Sequence, residues 1–130
     1  MPARSVDPAV QKLVAQYPAA TQALIAAARR TLAKAFPKAG ETADLEARLL
    51  CYSHGPGYKG VVATLILSKD AVKIGIPFGA TLPDPERLLA GAGKVHRNVA
   101  IASAADLERP ALARLLAANL AAWGRRAGGS

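Results

Sequence analysis

Aromatic side chains make up only 5% of this chain, too few for a repeated surface on which nucleic-acid bases stack. Nucleic-acid binding is therefore expected to be weak and non-specific. Cysteine occurs once, at Cys51, so an internal disulfide is excluded and a reducing, cytoplasmic setting is expected. No apolar run approaches the roughly 20 residues that span a bilayer. The opening MPARSVDPAV lacks the continuous apolar core of a signal peptide, so no membrane association is expected. Acidic residues are scarce where they would matter for cation binding: Asp7 is the one acid in residues 1–38.

What the chain does have is alanine, apolar stripes and positive charge. Apolar residues are 52% of the 130, enough for one domain with its own core. The formal net charge is +8, divided as +5 over residues 1–38, zero over 39–83 and +3 over 84–130. A basic balance attracts anionic partners and repels cations at long range; a solvated, solubilising surface is the plainer reading.

Asp7-Pro8 reads as a helix start, with a side-chain acceptor followed by a proline in the first helical position. Tyr17-Pro18 breaks this short helix. A longer one follows over about 19–35, its stripe formed by Leu24/Ile25, Ala28, Leu32 and Phe36. Three strands are expected in LEARLLCYSH, VVATLIL and VKIGI, joined by turns at Gly55-Pro56-Gly57 and Ser68-Lys69-Asp70. Connections this short make neighbouring strands antiparallel. Asp84-Pro85 repeats the helix-start pair and predicts a short helix, PERLLA, stopped at Gly91. A fourth strand follows at Asn98–Ile101. Ser103 and Asp106 resemble a capping box, and Pro110 opens a last helix with Leu112, Leu115/Leu116, Leu120 and Trp123 on its apolar face. The expected fold is α+β: an antiparallel sheet of about four strands, with the N- and C-terminal helices packed on one face. Residues 1–124 form the domain and 125–130 a flexible tail. A monomer or homodimer is expected.

The stretch AGAGKVHRNV, residues 90–99, gathers Gly91, Gly93, Lys94, His96 and Arg97. It is not a nucleotide-binding P-loop. Counting back from Gly93, the required first glycine falls at Leu88, and Val95 follows Lys94 where a hydroxyl should hold magnesium. Two readings remain, a helix-to-strand connection or a small anion-binding corner. In the second, Lys94 and Arg97 give fixed charge, His96 adds charge as pH falls, and the glycines let backbone N–H groups approach.

Other constellations are weaker. Cys51, His54 and His96 match no zinc spacing and lack a fourth ligand. Strand alternation puts Cys51 and Ser53 on one face and Tyr52 and His54 on the other, which separates a thiol from its nearest base. Glu41, Asp44 and Glu46 decorate a turn and strand without any sign of an acid–base division. Tyr58 and Lys59 have the chemistry to stack on and grip a single-stranded base, against the plainer reading of residues flanking a turn. No catalytic residues and no cofactor are assigned.

Over residues 58–120 the chain carries Gly75, Phe78-Gly79, Leu82-Pro83-Asp84-Pro85, Leu88-Leu89, Gly91, Gly93-Lys94, Arg97-Asn98-Val99, Asp106-Leu107 and Pro110-Ala111-Leu112. Together these resemble the YdhG-like domain family of uncharacterised bacterial proteins. The resemblance implies a frataxin-like α+β fold, mostly without known activity, some relatives having been proposed as iron chaperones. Frataxins are thought to hold iron through an acidic first-helix surface, which this basic N-terminal region lacks. The expected function is a non-enzymatic binding or interaction module for a protein or a small anionic ligand. Iron or metal handling is the alternative.

Overall fold

The computed structural model describes residues 7–55, 60–91 and 95–128. In chain order the elements are α1 (Pro8–Val14), α2 (Ala19–Ala35), β1 (Gly40–Asp44), β2 (Leu49–Ser53), β3 (Val61–Leu67), β4 (Val72–Ile76), a 3₁₀ turn (Gly79–Thr81), β5 (Leu89–Ala90), β6 (Arg97–Ile101), α3 (Ala104–Leu107) and α4 (Pro110–Gly128). The strands form one antiparallel sheet in the order β1-β2-β3-β4-β6-β5. The α+β class is as expected, but the sheet has six strands rather than about four.

The extra strands come from two local corrections. The long first strand expected over 45–54 is the second arm of a hairpin. Ala47 donates its N–H to Asp44 Oδ1 (2.9 Å), and Arg48 takes a left-handed φ of 58°. A turn forms there with no glycine to announce it, and residues 40–44 become a sheet edge. The expected helix PERLLA does not form either. Asp84 accepts from the N–H groups of Leu88 and Leu89 (2.8 Å each), and Arg87 turns left-handed at φ 55°. A carboxylate that bonds nearby backbone competes with helix formation, and a segment this short gains little from one helical turn. Leu89 and Ala90 pair instead with Val99 and Asn98.

Asp7 behaves as a helix start should, accepting from Ala9 N–H (2.9 Å), and its second oxygen also takes the N–H of Ala43 on β1. Asp106 accepts from Ala102 and Ser103 at the start of α3. The last helix continues through Arg125 and Arg126 to Gly128, past the point where the sequence pattern ends the domain.

Register explains the two faces. Ala43, Leu50, Leu65, Ile74, Val99 and Leu89 lie opposite one another across all six strands. With Tyr52, Val72, Ile76 and Ile101 they face Val10, Leu13, Ile25, Leu32, Leu112 and Leu116 of the helices in one apolar core. Asn119, fully buried, donates to the Val62 carbonyl (2.9 Å) and ties α4 to β3. The alternate row, Thr42, Cys51, Thr64, Gly75 and Asn98, forms the opposite face of the sheet.

Candidate functional site

α4 runs across the helix-covered face so that its last turns reach the rim where β2 and β4 end and β6 begins. There Trp123 packs against His54, just past β2, with ring centroids 4.4 Å apart and planes tilted by 50°. One turn later the Arg126 guanidinium lies 4.0 Å above the ring of Phe78, just past β4. A cation over an aromatic face is attracted by the ring's quadrupole, and Arg loses little hydration in such a stack. Partial burial, and then the neighbouring charge of Arg125, push the Arg126 pKa down from its ordinary value.

Phe78 leads into the 3₁₀ turn, which is fastened to the start of β6. Ala80 N–H donates to the Val95 carbonyl (2.9 Å). At Gly79 the two segments approach so closely that an added Cβ would stand 2.6 Å from the Arg97 Cβ. Arg97 pairs with Ile76 across the β4–β6 ladder, so it emerges on the helix-covered side of the sheet, as Arg126 does. Its guanidinium donates to the His96 carbonyl (3.0 Å).

The described ends of AGAGKVHRNV lie in two paired strands, Ala90 in β5 and Arg97–Val99 in β6, so a strand and not the expected helix precedes the glycines. Gly91 is exposed at φ +119°, a conformation that glycine adopts without strain. Gly91, His96 and Arg97 belong to one hairpin, with His96 exposed and Arg97 half-buried. Gly93 and Lys94 lie outside the described residues, as do Tyr58 and Lys59. Phe78, Gly79 and Arg126 complete the rim and were not foreseen as site residues. Phe78-Gly79 stood in the sequence only as a family signature, and Arg126 only as part of a tail. Their meeting depends on where α4 crosses the sheet, which local pattern does not encode.

The remaining candidates disperse. Cys51 sits half-buried on the face turned away from the helices, where burial, and then Asp44, push its thiol pKa up. A thiol held protonated is a poor nucleophile. His54 stacks on Trp123, and among the described residues no three of His, Cys, Asp and Glu come together. The three acids separate as well: Asp44 closes the hairpin turn and Glu46 is exposed.

Glu41 is buried, 5% exposed, which the sequence did not reveal. Arg29 grips it with two bonds, Nε to Oε2 (2.9 Å) and Nη2 to Oε1 (2.7 Å), and the Tyr52 hydroxyl donates to Oε2. The Glu41 hydrogen bond raises the Arg29 pKa. Burial, then the Glu41 charge, push the Tyr52 pKa far above the usual phenol range. Tyr52 is only 1% exposed, so this cluster braces α2 against β1 and β2 and presents no proton to a ligand.

A cleft of about 370 Å³ opens elsewhere, between α2, the β3–β4 turn and the start of α3, lined by Thr21, Leu24, Asp70, Ser103 and alanines. Asp70 is its one ionisable group, which opposes anions there. No family model, curated protein or solved structure matches the chain.

Proposed function

We propose that this protein is a non-enzymatic binding module that takes an anionic partner at the rim formed by Phe78, Gly79, Val95, His96, Arg97 and Arg126. The observation that carries the reading is the Arg126–Phe78 stack at 4.0 Å beside an Arg97 packed into the gap left by Gly79. The Arg126 guanidinium rests on a ring and the Arg97 guanidinium on the His96 carbonyl, so both lose less side-chain freedom on binding than free ones and more of their attraction appears as affinity. The chain's +8 charge adds long-range attraction for anions. Gly91 follows β5 directly, while Gly93 and Lys94, which the sequence groups with it, lie outside the described residues.

The resemblance to the YdhG-like family stays part of this proposal; of what it implies, the α+β class alone is the class of this fold. A single half-buried thiol suits a reducing, cytoplasmic setting. The iron-handling alternative has no converging ligand set among the described residues to carry it.

The test is a titration of tripolyphosphate and of a short oligonucleotide at two salt concentrations, on wild type and on Arg97→Ala/Arg126→Ala. Wild type should bind both weakly, and binding should fall as salt rises; the oligonucleotide should show the steeper log–log salt slope. The double variant should lose most of that binding. Equal binding by the two proteins would overturn the reading.

A further inference from the structure

The rim carries more than charge. Among the described residues three large apolar side chains are exposed, Leu45, Phe78 and Val95, and two of the three lie here, each a little over one-third exposed. The Ala80–Val95 hydrogen bond joins the segments that bear them, and Arg97 and Arg126 stand beside the same turn. A bare anion has no use for apolar surface. A nucleic acid would want open ring faces, but Arg126 covers one face of Phe78, and Trp123 is packed on His54. A second copy of the chain would set these arginines against their own kind across a two-fold axis. Two side chains are also too little apolar area to enter a lipid interface.

Resting on the anionic reading above, we propose that the partner is an acidic peptide segment bearing an apolar side chain. The apolar group lies on Phe78 and Val95, and flanking carboxylates pair with Arg97 and Arg126. Carboxylates suit the planar guanidinium fork, and a central apolar contact ringed by charge is the common anatomy of a protein–peptide interface.

The experiment uses two labelled twelve-residue peptides of equal net charge, −4, one with a central leucine and one with serine in its place, read by fluorescence anisotropy on the full chain. Wild type should bind the leucine peptide about tenfold more tightly, as expected for partial burial of one such side chain. Val95→Ser should weaken the leucine peptide by more than it weakens the serine peptide, removing most of that preference. Val95 is the cleaner variant, because Phe78→Ser also releases Arg126. Arg97→Ala/Arg126→Ala should weaken both peptides alike. Equal affinity of wild type for the two peptides would overturn the apolar anchor and leave the anionic reading standing. Binding of tripolyphosphate, the oligonucleotide or anionic phosphatidylserine vesicles in preference to either peptide would overturn the choice of partner. Failure of every anion would overturn both readings.

Discussion

Gly79 stands where any side chain would collide with Arg97: an added Cβ would lie 2.6 Å from the Arg97 Cβ and 3.2 Å from that of Ile76. The obstruction is the rooted end of a side chain on a strand, which cannot swing away. Gly79→Ala should therefore cost about 1–3 kcal/mol, in the range for overpacking a filled site. Chemical denaturation should show a lower midpoint at an unchanged slope. The same variant should weaken anion binding, because Arg97 must shift to admit the methyl group. A variant as stable as wild type would show that the two segments are not in contact.

The Arg29–Glu41–Tyr52 cluster makes a different claim about stability. Glu41→Ala leaves a half-buried guanidinium and a buried hydroxyl without the carboxylate that both bond, and should cost about 3–5 kcal/mol. Tyr52→Phe removes one donor to the carboxylate and leaves Glu41 on Arg29, so it should cost about 1.5–3 kcal/mol. Equilibrium urea unfolding separates the two. A loss under about half a kcal/mol for Glu41→Ala would place Glu41 on the surface.

Alkaline pH tests the same cluster with a definite sign. The Tyr52 pKa is raised in the folded state, first by burial and then by Glu41. Below about pH 10 both folded and unfolded states keep the proton and the full stability is present. Above that, the unfolded chain releases the proton and the folded one does not, so stability falls by about 1.4 kcal/mol per pH unit from this residue. Denaturation midpoints between pH 9 and 11.5 should fall more steeply for wild type than for Tyr52→Phe. Parallel curves would mean that Tyr52 is not shielded.

How far the chain announces these features depends on the range of the interaction. Strand alternation in Val72, Ile74 and Ile76 and the helical stripe from Leu24 to Phe36 were legible because burial repeats at the period of the element. The two Asp-Pro pairs looked alike and behave differently. Asp7 precedes a segment that packs as a helix, whereas Asp84 precedes one whose residues Leu89 and Ala90 are taken by β6. Tertiary pairing decided between them. The β1–β2 turn was hidden because Arg48 holds the left-handed conformation that glycine or asparagine would have advertised. Of the site, Gly91, His96 and Arg97 were legible as a local cluster. Arg126 on Phe78 was not, since they stand 48 positions apart in the chain and only the crossing of α4 brings them together.

Amide chemical-shift mapping during titration with tripolyphosphate shows where on the molecule the anion sits. Shifts should concentrate at Phe78–Ala80, Val95–Arg97 and Trp123–Arg126, diminish with added salt, and vanish in Arg97→Ala/Arg126→Ala. Shifts centred on Ala20–Leu24 and Ala102–Ala104, around the cleft that holds Asp70, would contradict binding at the rim.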